Sequence, residues 1–121
     1  MKLPNRKNAI IEKRKFTHYL LSLTHPKGKS KAKFFRSIGF NETNIEKLKR
    51  ALLQVGRSNE VIGTRKEKKV DKITSEVIAI IKYDIDGLID APDGGRYKVK
   101  TIWAIEADDG IPYLATARPS V

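Results

Sequence analysis

Val77-Ile78-Ala79-Ile80-Ile81-Lys82-Tyr83-Asp84-Ile85-Asp86 decides the fold. Val77, Ala79, Ile81, Tyr83 and Ile85 alternate with Ile78, Ile80, Lys82, Asp84 and Asp86, and β-branched residues are dense. A period of two predicts a strand with a polar outer end. Downstream, Asp90 to Gly95 is a turn rich in Pro, Asp and Gly, and Tyr97 to Ile105 is a second strand. Asp108-Asp109-Gly110 is a hairpin signal, followed by a third strand from Tyr113 to Arg118 that Pro119 ends. Upstream, Val61 and Ile62 begin a short strand, and a fourth strand around 60–70 would complete the sheet. The rest of residues 57–72 reads as an exposed, basic loop or hairpin tip.

Before residue 57 the period changes. Phe16, Tyr19, Leu20 and Leu23 fall at i, i+3, i+4 and i+7, which predicts a helix from Glu12 to Leu23. A second helix runs from Ser30, as N-cap, to Ile38, and Gly39 ends it. Phe34, Phe35 and Ile38 form its buried side. Thr43-x-x-Glu46 reads as a capping box opening a third helix, whose apolar face is Ile45, Leu48, Leu52 and Val55 and whose C′ residue is Gly56. Met1 to Asn8 is irregular. Helices followed by strands predict an α+β fold, with N-terminal helices packed on a three- to four-stranded antiparallel sheet. Residues 1–121 form a single domain, helical over 12–56 and sheet over 60–118. Phe16, Leu20, Phe34, Leu48, Leu52, Ile81 and Trp103 are its expected core.

The chain of 121 residues is 40% hydrophobic, enough for a core and against disorder. No apolar run approaches the ~20 residues of a membrane span, and nothing in the sequence resembles a signal peptide. With no cysteine and two histidines, no metal site and no cofactor are expected, and the expected location is cytoplasmic. The net charge of +11 is unevenly placed: residues 1–70 carry 19 Lys/Arg against 5 Asp/Glu, and 71–121 carry 6 against 9. Such polarity favours a polyanionic partner, RNA or an acidic protein, over a membrane surface.

The basic half centres on His25-Pro26-Lys27-Gly28-Lys29-Ser30-Lys31-Ala32-Lys33-Phe34-Phe35-Arg36. A Pro/Gly turn running into a helix N-terminus gathers N–H donors and cations, which is an anion site in outline. A solvated lysine face over two core phenylalanines is the competing reading. Lys29, Lys31 and Lys33 cannot share one helical stripe, because alternate residues diverge by about 200°. Gly28-Lys29-Ser30 lacks the glycine and preceding strand of a nucleotide-binding loop, and Asp84, Asp86, Asp90 and Asp93 lack calcium-loop spacing.

Leu3-Pro4-Asn5, Tyr19-Leu20-Leu21, the His25–Phe35 segment, Gly39-Phe40, Val99-x-Thr101-x-Trp103 and Pro112-x-Leu114-x-Thr116 together resemble a family of short bacterial domains of uncharacterised function. More distantly, helices before a small antiparallel sheet and the Tyr-Leu-Leu…His…Gly-Lys…Lys-Ala pattern resemble toxin ribonucleases of the barnase/EndoU/colicin/RelE superfamily. That resemblance implies a toxin held in check by a cognate antitoxin or immunity protein. The motif here has one histidine where well-known members use two.

Metal-free RNA cleavage needs a base for the 2′-hydroxyl, an acid for the leaving oxygen, and cations for the phosphorane. Histidine, with an unperturbed pKa of about 6.5, serves as base or acid, and lysine or arginine stabilises the charge. The candidate catalytic set is His25, Lys31, Arg36, Thr101 and Thr116. Lys27, Lys29, Lys33, Arg65 and Arg118 are the candidate RNA-binding cations. The alternatives are a non-catalytic nucleic-acid-binding module, or an antitoxin- or immunity-like protein that binds an acidic partner. RNA affinity should fall linearly with salt on logarithmic axes, at about 0.7 per neutralised phosphate on a single strand. A slope near zero in a titration across salt concentrations would favour an acidic protein instead.

Overall fold

The long strand predicted around Val77 is the spine of the sheet. The computed structural model describes residues 1–106 and 110–120. Strands β1 (Gly63–Val70), β2 (Val77–Asp90), β3 (Arg96–Glu106) and β4 (Tyr113–Pro119) form one antiparallel sheet in sequence order. In the β2–β3 pairing Tyr83 lies opposite Trp103 and Ile85 opposite Thr101, so these residues share one face. The predicted hairpin signal at Asp108-Asp109 lies outside the described residues. β3 covers β2 only from Ile80 onward, so the outer β1–β2 hairpin projects beyond the core. Val70, Val77 and Ile73 are exposed there.

The chain before the sheet supplies one helical layer. A 3-10 turn (Arg6–Asn8) leads to α1 (Lys13–Lys15), which passes directly into a π-helical turn (Phe16–Leu20). Helices α2 (Lys29–Ser37) and α3 (Ile45–Ser58) follow. Phe16, Leu20, Phe35, Leu48, Leu52 and Val55 are buried with Ile85 and Trp103 in one core. Fully burying each such side chain is worth about 1.5–3 kcal/mol. Phe34 and Ile81 are only partly buried and pack against that core. The N-terminal segment extends the sheet edge through a parallel bridge from Ile10 to Tyr113. Arg57 on α3 ties it down by donating to the carbonyls of Arg6 and Ala9. Among the described residues no helix is long and apolar enough to cross a membrane.

Several predicted boundaries move, each for a local reason. The first helix stops at Leu20, because its wider π turn closes with Leu21 N–H donating to the Phe16 carbonyl, and Leu23 is 47% exposed. The second helix begins at Lys29 after Gly28, so Ser30 lies inside it; Gly39, at a φ of +108°, ends it as expected. The Thr43–Glu46 box does not form. Thr43 instead bonds Asn41, and the N-cap is Asn44, whose amide donates to the Gly39 carbonyl. Residues 63–70 form the fourth strand expected around 60–70, and the loop reading of that basic stretch does not hold.

Gly56 is not a C′ residue but lies within α3, buried against Trp103. A β-carbon there would stand 2.5 Å from the indole ring. Alanine's better helix propensity favours Gly56→Ala by about 0.5–1 kcal/mol. The clash with a buried indole costs about 1–3 kcal/mol and should win. Urea unfolding of Gly56→Ala should therefore show a lower midpoint with an unchanged slope; a raised midpoint would contradict the packing described.

Candidate functional site around Tyr19

The turn entering α2 is organised by His25. Its Nδ1 accepts the N–H groups of Lys27 and Gly28, both at 3.0 Å. These bonds assign the neutral ring's proton to Nε2, which is left to donate outward. Gly28 is required by close approach: a β-carbon there would lie 2.5 Å from the Tyr19 carbonyl oxygen. This contact lets the His25 turn lie on the π-helical turn. The two rings meet edge to face, with centroids 4.9 Å apart.

Tyr19 stands at the junction with the sheet. Its hydroxyl is 3.2 Å from Thr116 Oγ1, and the Nζ atoms of Lys15 and Lys31 each lie 5.1 Å from its ring centroid. Lys31 also donates to the Lys27 carbonyl, which fixes it to the same turn. On β4, Ala115 is an extra residue, since Ile102 pairs with Thr116 and Trp103 with Leu114. Such a bulge re-aims the strand and leaves a carbonyl unpaired in the ladder. Lys15 Nζ donates to that Ala115 carbonyl at 3.0 Å.

Burial pushes the Tyr19 phenol up, but hydrogen bonds from Lys31 and Thr116 and the charges of Lys31 and Lys15 outweigh it. The net result is a phenol more acidic than an ordinary tyrosine. Lys15 is moved down mainly by burial, with nearby Arg14 and Lys82 acting in the same direction against the acidic Tyr19 and Glu12. A cavity of about 350 Å³ opens beside the group, lined by Lys15, Tyr19, His25, His18, Glu12 and Tyr113 among others. His18 is exposed, as expected for a residue off the apolar face, yet it borders the same hollow as His25.

The structure thus brings together His25, Lys31 and Thr116 of the predicted set. It does not bring Thr101 or Arg36. Thr101 is 0% exposed; its hydroxyl donates to the Ile85 carbonyl and accepts the Trp103 indole N–H. Arg36 donates twice to the Leu21 carbonyl and pairs with Glu42, so it straps the end of the π turn to α2. Of the predicted RNA-binding cations, Lys27, Lys29 and Lys33 are exposed around α2, while Lys31 alone turns to Tyr19. Arg65 is on the opposite edge strand from Arg118 and pairs with Asp84 at 2.7 Å. Tyr19 and Lys15 were missed. Their i, i+4 spacing, and a tyrosine at the edge of an apolar stripe where its hydroxyl needs a partner, were the available signals.

The sequence matches, over residues 2–120, the family model described as a domain of unknown function, DUF6883, and the chain belongs to that family. No curated protein matches it. Its fold is similar to that of a chain in a contact-dependent growth inhibition toxin–immunity protein complex from Klebsiella pneumoniae 342. The TM-score is 0.63 at 14% identity, over 96% of this chain and 97% of that one.

Lys31→Met and Thr116→Val should each move the Tyr19 phenol back toward the ordinary value of 10.0. The phenolate absorbance of each variant, differenced against Tyr19→Phe, reads this out. An unmoved transition in both would contradict the electrostatics described here.

Proposed function

We propose that the protein is a toxin-type endoribonuclease that cleaves RNA without a metal ion, through Tyr19, Lys31, Lys15 and His25. The observation that carries this reading is the Tyr19 ring at the wall of a cavity with the Nζ atoms of Lys15 and Lys31 each 5.1 Å from its centroid. A nucleophile, a phosphate and a leaving group need one base, one acid and cations around the charge. Tyr19, Lys31 and Lys15 supply groups of these three kinds around one ring, which supports the reading.

In this reading the Tyr19 phenolate takes the proton of the ribose 2′-hydroxyl. The 2′-oxygen bonds to phosphorus, and the bond from phosphorus to the 5′-oxygen breaks. The Lys31 ammonium gives its proton to that oxygen, and transfer from Tyr19 to Lys31 restores both groups. Lys15 offsets charge on the phosphorane, and the His25 Nε2–H donates to a non-bridging oxygen. His25 is thereby moved from base to donor, because its Nδ1 already serves the backbone turn.

The similarity to a chain of a toxin–immunity complex supports a role on one side of such a pair, toxin or immunity protein, and a cognate protein partner. One observation favours a second reading, a binding module without chemistry: both of the turn's N–H groups already have a ring acceptor, so His25 fills a structural role that needs no substrate.

Total RNA incubated with the protein in EDTA should give discrete products. Tyr19→Phe should lose about 10²–10⁴-fold in rate, the usual contribution of a general acid or base, with the folded fraction unchanged by circular dichroism. The rate should rise with pH to a midpoint below the ordinary tyrosine value of 10.0, since the deprotonated form is the active base. Folded protein that yields no products, or a Tyr19→Phe rate equal to wild type, would leave only the binding module.

A further inference from the structure

A second hollow of about 350 Å³ lies on the helix-free face of the sheet, and it adjoins the first. Lys15 and Tyr113 line both. Ile80 and Ala104, both buried, line the second hollow between the strands. Lys69 and Lys82 stand on this face; the β1–β2 and β2–β3 registers place Lys82 opposite Arg65 and Ala104.

The charges here are numerous but only loosely paired. Lys82 meets Glu67 at 3.2 Å, and Lys69 meets Glu106 at 3.5 Å. Both are surface pairs of the kind worth about 0–1 kcal/mol, so each ammonium can turn to a phosphate at small cost. Lys68 makes no ion pair among the described residues. Tyr113 donates to Glu106 at 3.2 Å, which holds its ring at the boundary between the two hollows. Across the two hollows Arg14, Lys15, Lys68, Lys69 and Lys82 therefore stand against Glu12, Glu67 and Glu106, along one path from Tyr19 to the base of the projecting hairpin. A cationic groove broken by an aromatic ring is the arrangement that tracks a single strand, with phosphates on lysines and a base stacked on the ring.

The geometry points to an extended substrate path: a single-stranded RNA runs from the Tyr19 cavity past Tyr113 onto the open face of the sheet, where Lys69 and Lys82 hold its phosphates. This rests on the ribonuclease reading and names its substrate as a strand longer than the cleaved dinucleotide. Pairing of the strand would hinder stacking on Tyr113, so duplex RNA is a poorer ligand.

Fluorescence polarisation with 2′-O-methyl oligouridylates, which lack the nucleophile, separates binding from cleavage. Wild-type protein should bind a long oligouridylate more tightly than a dinucleotide and with a steeper salt slope. Lys69→Gln with Lys82→Gln should remove that advantage and lower the slope by about 0.7 per lost phosphate. Tyr113→Leu should weaken the long strand about tenfold, the loss of one stacked base. UpU cleavage should be unchanged in the lysine variant, whose polar side chains sit on the surface and leave the core intact. Equal affinity for short and long strands, or equal loss for both in the lysine variant, would overturn the path. So would an unchanged RNA affinity in a variant that no longer binds polyglutamate, which would assign the face to an acidic protein. Length-dependent binding by wild-type protein that cleaves neither substrate would sink the ribonuclease reading and leave the path standing.

Discussion

The contact on which the site depends is the meeting of Tyr19 with the edge strand β4. The Tyr19 hydroxyl touches Thr116, its carbonyl abuts Gly28, and its ring meets that of His25 edge to face. One residue therefore joins the first helical segment, the turn into α2, and the sheet. Each partner answers a local need. The π turn shifts Tyr19 from ordinary helical spacing, the bulge at Ala115 frees a carbonyl for Lys15, and the missing β-carbon of Gly28 permits the approach. Moving any of them would separate the phenol from its lysines.

The electrostatics follow from that geometry. Two ammonium groups near a half-buried phenol stabilise its charged form, and burial of Lys15 makes its own charge costly. On the proposed reading, a phosphate entering the cavity would give the buried Lys15 a counter-charge. The excess of cations in residues 1–70 continues over the surrounding surface, where Lys27, Lys29 and Lys33 remain exposed. The core carries little of this charge. Its polar insertion, Thr101, is satisfied from both sides and orients the Trp103 indole against Gly56.

The fold class and the antiparallel sheet were legible because the alternation at Ile81, Tyr83 and Ile85 and the turn at Asp90–Gly95 are local signals. The helix faces at Phe16, Leu20, Leu48 and Leu52 were legible for the same reason. Gly56 was misread because a glycine near a helix end and a glycine under an indole look alike without the partner strand. The Thr43 box failed because Asn41 and Asn44 offered the backbone a competing set of bonds. Within the site, the His25 turn and Lys31 were visible in sequence as a basic Pro/Gly segment. Tyr19 was hidden in the apolar stripe, since only the tertiary fold brings Thr116 across 97 residues to its hydroxyl. Thr101 looked equivalent to Thr116 in sequence, and burial alone separates them.

The central claim is that Tyr19 activates a ribose hydroxyl, and the chemistry of the product ends tests it most directly. Mass spectrometry of fragments from a defined oligoribonucleotide should show 2′,3′-cyclic phosphate and 5′-hydroxyl ends. A single 2′-deoxy substitution at the scissile nucleotide should abolish that cut. Fragments with 5′-phosphate and 3′-hydroxyl ends, or undiminished cutting at the deoxy position, would contradict attack by the 2′-oxygen and the role given to Tyr19.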